Sequence, residues 1–325
     1  MILNALYHTN NLYCPYMAVS ICSLLENNKH FDCINIHIMS NCMSNENEEK
    51  IKKLILQYNR DVYIYEASGI DEKLKHMNII PHYNTYITYY KLFFSHYIKI
   101  ELDNLVFFDS DTIINNKLDE LVLMKFTDNE LFAMTTGIMF DKYKEIIGIQ
   151  NNQTYFNGGV IVFNVKKYIE EDILDNILKE AQKKSYALAA DEPLLNILFN
   201  NRIKRFHLKY NAPTHIFVTT PKDILKYYDK KCTSIDEIEE SKNNTVIYHL
   251  AGGVFGRPWE SDNKNPLTEI FDNYIKLTPY KELKKKPRKM NINNRIQRFL
   301  WRYLPKKLYY PIFRYFAIEN IKNFK

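Results

Sequence analysis

Glycine is scarce, at 8 of 325 residues. Neither G-x-x-x-x-G-K-[ST] nor G-x-G-x-x-G occurs, which excludes the phosphate-cradling loops built on closely spaced glycines. The five cysteines, Cys14, Cys22, Cys33, Cys42 and Cys232, are odd in number and include no C-x-x-C pair. That pattern argues against a disulfide scaffold or a zinc knuckle and for a reducing compartment. No stretch approaches the roughly 18–20 apolar residues of a membrane-spanning helix. The N-terminus, Met1-Ile2-Leu3-Asn4-Ala5-Leu6-Tyr7-His8, has no basic segment ahead of its apolar run, so it does not read as a signal peptide. A cytoplasmic location is the expectation. With 46% hydrophobic and 25% charged residues the composition is globular, with room for one large domain plus an appendage, or for two small domains.

What is present is unevenly spread. Residues 281–325 carry 14 Lys and Arg against 2 Asp and Glu. The 280 residues before them carry 30 basic and 36 acidic groups, so the formal charge of +6 hides an acidic body and a basic tail. The organisation expected is a domain over 1–280 followed by a tail over 281–325.

Along the body, short apolar runs alternate with helical patterns. Strands are expected at 1–6, 33–39, 62–65 and 103–108, a β-rich segment at 155–165 and a last strand at 245–250. Helices are expected at 16–25, 46–58, 86–98, 172–184 and 193–200. No internal repeat is seen. Alternating strands and helices predict an α/β fold with a mostly parallel sheet covered on both faces. Ligands of such sheets bind beyond the carboxyl ends of the strands.

One strand end stands out. Leu105-Val106-Phe107-Phe108 runs into Asp109-Ser110-Asp111-Thr112. Two carboxylates two residues apart in extended chain share a side and repel, and a divalent cation relieves that repulsion. Oxygen ligands beside a phosphate suit Mn²⁺ or Mg²⁺ better than Zn²⁺. A polar turn ending a strand would also read Asp-Ser-Asp. Further on come Tyr155-Phe156-Asn157-Gly158-Gly159, then Asp191-Glu192-Pro193-Leu194-Leu195-Asn196, then Tyr248-His249-Leu250-Ala251-Gly252.

In that order, over roughly residues 2–260, these segments resemble the retaining family 8 glycosyltransferases, which include bacterial lipooligosaccharide galactosyltransferases and glycogenin. The resemblance implies a GT-A fold, Rossmann-like, and a metal-dependent transferase acting on a nucleotide sugar such as UDP-galactose or UDP-glucose. It implies that Asp109 and Asp111 are the D-x-D metal pair, with Ser110 touching the donor and His249 completing the metal site. A hydrogen-bonded histidine at a strand end is the plainer alternative for His249. Asn157 matches an asparagine that contacts donor sugar or acceptor, and the adjacent glycines would allow close backbone approach or form a β-bulge. Asp191 and Glu192 match the family's D-Q pair, with glutamate where glutamine is typical. A carboxylate there would stabilise an oxocarbenium-like centre or act as nucleophile, while Asp-Glu-Pro also suits a helix start.

The donor-binding positions implied are Asn10, Asn11 and Tyr13 after the first strand, with Tyr13 stacked on the base. Lys91 stands where the family has an arginine, keeping the charge but losing the bidentate fork. Gly252 and Arg257 match a G-x-x-K-P-W phosphate loop, here two residues longer and with arginine for lysine.

In the tail, Lys284-Lys285-Lys286-Pro287-Arg288-Lys289 precedes a segment in which Arg and Lys interleave with Phe299, Trp301, Tyr303, Tyr309, Tyr310 and Phe313. A basic amphipathic segment of this kind suits an anionic membrane surface. Docking on the body is the alternative, and nucleic acid is not favoured. Together these features predict a peripheral enzyme on the inner face of the cell membrane, with a lipid-linked glycan such as a lipooligosaccharide core as acceptor. The competing readings are a non-catalytic membrane-associated sugar-nucleotide-binding protein and a nucleotidyltransferase. Nothing here resembles the Gly-rich phosphate loop of the latter.

Overall fold

Ten strands carry the apolar runs: β1 (Ile2–Asn10), β2 (Cys33–Asn41), β3 (Asp61–Glu66), β4 (Asn104–Phe108), β5 (Thr112–Ile114), β6 (Phe132–Thr136), β7 (Phe156–Asn164), β8 (Ile203–Phe206), β9 (Ala212–Pro213) and β10 (Ile247–His249). The computed structural model describes residues 1–82, 84–99, 103–150, 152–183, 191–229 and 232–322. Residue 184, the expected end of a helix, and the last three residues of the tail lie outside the described residues.

Seven strands form one sheet in the order β3-β2-β1-β4-β7-β6-β8. β7 is antiparallel to both β4 and β6, while the other neighbouring pairs are parallel. A small second sheet has the order β5-β10-β9. Alternation along β1 sends Leu3, Ala5 and Tyr7 into one core and Leu6 into the other, so helices cover both faces of the large sheet. This is the α/β architecture expected of a GT-A fold.

β1 runs three to four residues past its apolar start. His8, Thr9 and Asn10 stay paired with Met39, Ser40 and Asn41 of β2, which carries polar side chains to the sheet's end. The helix Cys14–Asn27 opens with Pro15 in its first turn, where a missing N–H costs nothing. The segment expected as one aromatic helix over 86–98 differs. It forms a 3₁₀ stretch, Ile87–Phe93, and then a single α-turn, Phe94–Tyr97. Tyr89 through Phe94 are all buried. Six consecutive buried residues leave no solvent face, so tertiary packing sets the local geometry rather than helical periodicity.

The tail folds as the helices Ile292–Tyr303 and Lys306–Lys322, the first capped by the Asn291 side chain. One side docks on the body. Tyr309 and Tyr310 are buried against Tyr227, each ring contributing on the order of 2 kcal/mol by area. Arg298, only 4% exposed, reaches Glu260 at 3.2 Å and also pairs with Asp262. The other side stays open. Ile292, Ile296, Phe299 and Tyr303 are exposed at helical spacing, continued by Leu308, Ile312, Tyr315 and Phe316. No helix among the described residues is long and apolar enough to cross a membrane.

Candidate active site

The sheet's topology gathers the site. Because β7 runs against β4, its first residues lie at the same sheet edge as the last residues of β1 and β4. The Asp109 N–H donates to the Gly159 carbonyl at 2.8 Å, continuing the β4–β7 ladder. A tight turn then reverses the chain into β5: the N–H and hydroxyl of Thr112 both donate to the Asp109 carbonyl. Ser110 pins that turn to β1 by donating to the His8 carbonyl at 2.6 Å. Pairing of β5 with β10 sets His249 opposite Thr112.

Asp109, Asp111 and His249 thereby converge, with one ligand atom from each within 4.8 Å of the others. His249 Nε2 lies 3.3 Å from Asp111 and 3.8 Å from Asp109. The far side of the ring is fixed by a chain of amides. His249 Nδ1 is 3.0 Å from Asn211 Oδ1. Asn211 Nδ2 donates to Asn157 Oδ1 at 2.6 Å, and Asn157 Nδ2 donates to Glu192 Oε2 at 2.9 Å. Since the Asn211 amide gives its N–H to Asn157, its carbonyl must accept from His249. Nδ1 therefore carries hydrogen and Nε2 is left facing the carboxylates. Two carboxylates and an imidazole nitrogen held in this tautomer fit a divalent cation.

Gly159 explains how the ring gets so close to β7. A Cβ there would lie 2.4 Å from His249 Cε1. The glycine pair also coincides with a register shift opposite Met134 and Thr135, so the bulge and the close approach occur together. The group brought near is the histidine ring.

Charge in this cluster is strongly redistributed. Burial pushes Asp109 up to about 7, against the opposing pull of Lys91 and His249. Burial would also raise Asp111, but His249 and Arg257 outweigh it and hold that carboxyl well below the usual range. Burial lowers His249, and the facing Asp111 more than reverses this, so the ring is raised overall. Metal binding competes with that proton.

Asp191 and Glu192 begin the helix Asp191–Phe199, as Asp-Glu-Pro suggests. Asn196, one turn on, bolts this helix to β7 by accepting from the Phe156 N–H and donating to its carbonyl. That fixes Glu192 against the strand, where its carboxylate accepts from the Gly158 N–H at 2.7 Å. Burial raises the Glu192 pKa, with the Gly158 N–H opposing. Lys91 is buried and ion-paired to Asp191 at 2.6 Å, its ammonium also over the Phe107 ring.

An open cleft of about 550 Å³ lies in front, lined by His8, Thr9, Asn10, Tyr13, Thr88, Asp109, Ser110, Asp111, His249, Gly252 and Arg257 among others. Arg257 lies 3.7 Å from Asp111 and bonds the Tyr13 hydroxyl, its guanidinium over the Tyr13 and Trp259 rings. The longer loop therefore still brings a cation to Asp111. Arg257 packs over Gly252, where a Cβ would meet its Nε at 2.9 Å and push the side chain aside. The Asn10 side chain accepts from the N–H groups of Leu12 and Tyr13 and shapes the turn. Asn11 is not among the cleft residues. It is exposed and holds Ser44 and Asn47 instead.

Two cleft-side residues escape the sequence. His8 lies 3.6 Å from Asp109 with its Nδ1 buried and unpartnered among the described residues, and burial drives its pKa well below the ordinary value. Only an extended β1 would have signalled it. Asn211, in Tyr210-Asn211-Ala212, belongs to no recognisable motif.

A family model described as glycosyl transferase family 8 matches residues 4–263. A lipopolysaccharide 1,2-glucosyltransferase of Escherichia coli is 24% identical over 273 residues, covering 82% of this chain and 76% of that protein. A lipopolysaccharide 1,3-galactosyltransferase of Salmonella typhimurium is 23% identical, covering 78% and 72%. Among solved structures, the galactosyltransferase LgtC in complex with donor and acceptor sugar analogues superposes with a TM-score of 0.70 at 17% identity, over 85% of this chain and 96% of that one. The bifunctional glycosyltransferase WbbM gives 0.71 at 19% identity, and there this chain spans only 50% of the other's length. At these identities the structural likeness is one of fold.

Proposed function

The chain belongs to glycosyl transferase family 8 and is a glycosyltransferase, and on that premise we propose that it transfers a hexose from UDP-galactose or UDP-glucose to a glycan with retention of anomeric configuration. The observation that carries this reading is the convergence of Asp109, Asp111 and His249 at the floor of the cleft, one amide chain away from Glu192. Those three residues would hold Mn²⁺ (or Mg²⁺), which when bound would supply a Lewis acid for the diphosphate leaving group. Arg257 adds a fixed cation at the same place, where charge develops as the glycosidic bond breaks. Tyr13 at the cleft mouth suits stacking on the base. Lys91 offsets the charge of Asp191, and through it the donor-side acids, in a site too buried for water to do so. Glu192, joined to His249 through Asn157 and Asn211, would support an oxocarbenium-like centre, with Asp191 beside it in the chain and paired to Lys91.

The acceptor we propose is a lipid-linked glycan such as a lipooligosaccharide core, in keeping with two relatives described as lipopolysaccharide glycosyltransferases. The exposed row Ile292, Ile296, Phe299 and Tyr303, flanked by Arg295 and Arg302, supports attachment to the anionic inner face of the cell membrane.

The test is a screen of UDP-, GDP- and CMP-hexoses for slow Mn²⁺-dependent nucleotide release without acceptor, with the anomer of the transferred sugar read by NMR. Release of UDP and a retained product are expected. An inverted product, or release that ignores metal, refutes the reading.

A further inference from the structure

Next to the donor cleft lies a second cavity, of about 250 Å³, walled by the body on one side and the tail on the other. The two spaces share Gly252. The body wall is tied directly to the metal site. Thr214 donates to the His249 carbonyl through both its N–H and its hydroxyl, at 3.0 and 3.1 Å, and His215 follows into the cavity lining. The tail contributes Asn294, Gln297, Trp301 and Tyr309.

His215 Nε2 and the Tyr309 hydroxyl are buried on this lining without a hydrogen-bond partner among the described residues. Tyr309 is only 2% exposed. Arg298 Nε on the same lining is likewise unpartnered among the described residues. Buried polar atoms are almost always paired, so these three orphans on one cavity mark a polar occupant. The rest of the lining mixes aromatic faces with amides. A sugar ring has a C–H face for the former and hydroxyls for the latter. An acyl chain would leave those amides and the orphans unsatisfied. Both cations of the lining already face acids, Arg298 pairing with Glu260 and Asp262 through its two terminal nitrogens and Arg288 lying 3.8 Å from Glu260, which leaves little call for an anionic group.

We propose that this cavity receives a neutral sugar ring of the acceptor glycan, so that the tail completes the acceptor site of the enzyme. The inference rests on the glycosyltransferase reading above. Through Gly252, which both spaces share, a glycan whose reacting sugar sits beside the donor has a path for its next residue into this cavity.

The experiment compares full-length Tyr309→Phe and Gln297→Ala proteins with the unaltered one. UDP-glucose and UDP-galactose serve as donors with Mn²⁺, and a pool of deacylated lipooligosaccharide core oligosaccharides as acceptor. Losing one neutral hydrogen bond should raise the apparent KM for the pool roughly three- to tenfold in each variant, with acceptor-free UDP release unaltered. Tyr309→Phe keeps the ring, so its packing is retained and the KM change reads the hydroxyl alone. An unchanged KM in both variants overturns the proposal. So does a pool that fails to stimulate an unaltered protein still releasing UDP, and so does a loss of vesicle binding in place of the KM change. Absence of UDP release from the unaltered protein would instead sink the parent reading, and this one with it.

Discussion

The cleft and the tail hold charge in opposite ways. At the cleft Asp109, Asp111, Asp191 and Glu192 are packed around one edge of the sheet, against Lys91, Arg257 and His249. Acids so confined repel one another, and their own neighbours do not neutralise them evenly. Asp109 is driven up while Asp111 is held down. In the tail the cations are spread along the stretch 281–291 and the two helices that follow it. Arg298 and Lys285 find acids of the body, Glu260, Asp262 and Asp272, and most of the remainder face outward beside exposed apolar side chains. A buried cluster of like charge is a demand for a counter-ion at one point. A basic amphipathic surface is a demand for an extended anionic one. The two regions predict different sensitivities, to a specific cation and to general screening respectively.

The largest effect should come from removing a carboxylate of the metal pair. Asp109→Asn or Asp111→Asn is expected to abolish Mn²⁺-dependent UDP-sugar binding, a loss on the order of 100-fold or more, while circular dichroism shows the fold intact. Relief of like-charge repulsion should leave the metal-free Asp109→Asn protein no less stable, whereas Asp111→Asn also takes a partner from His249 and Arg257 and should cost some stability. Unchanged Mn²⁺ dependence in titration calorimetry would sink the assignment.

Asn211→Ala tests whether the amide chain matters. It removes the acceptor for His249 Nδ1 and the donor to Asn157. Outer hydrogen-bond partners of metal ligands typically matter by about 10–100-fold in affinity. Mn²⁺ affinity should fall by that amount, with the cleft's salt response as flat as before. An affinity within twofold of the unaltered protein would show that the histidine is oriented by packing alone.

Glu192→Gln is expected to lower kcat at least about tenfold, roughly 1.4 kcal/mol of transition-state stabilisation, with donor affinity nearly unchanged. A glutamine keeps a hydrogen-bonding oxygen for the Gly158 N–H but carries no charge toward a developing cation. If Glu192 serves only as the start of its helix, the swap should alter stability by a few tenths of a kcal/mol and leave kcat alone.

The smallest effect belongs to the tail. Replacing Phe299 and Tyr303 together by glutamate should weaken binding to anionic vesicles several-fold, in a manner that fades with added salt. Both side chains are exposed, so the melting temperature and UDP release should hold. Vesicle binding that survives the double change would assign the open face to something other than lipid.

Much of this was legible in the residues. Apolar runs marked most of the strands, and the D-x-D turn, the F-N-G-G strand, the D-E-P helix start and the Y-H strand end could be read because each ties its chemistry to a local backbone feature. The aromatic segment at 86–98 could not, since burial on all sides removes the periodicity on which a helix is recognised. The tail was legible as amphipathic but not in its division of labour. One set of its aromatics, Tyr309 and Tyr310, closes against the body, while Phe299 and Tyr303 stay outside.

The sequence by itself determined the α/β class, the membership that the ordered motifs imply and the identity of the acids and histidine that cluster. Alternating strands and helices suffice for the first, and the resemblance to the family's ordered motifs for the other two. Only the tertiary structure decided that β7 runs antiparallel and so delivers Asn157 and Gly159 to the edge where Asp109 sits. It alone joined His249 to Glu192 through Asn211, and Gly252 to the tail through a shared cavity. Those contacts link residues tens of positions apart, and no local pattern encodes a partner that only packing brings within reach.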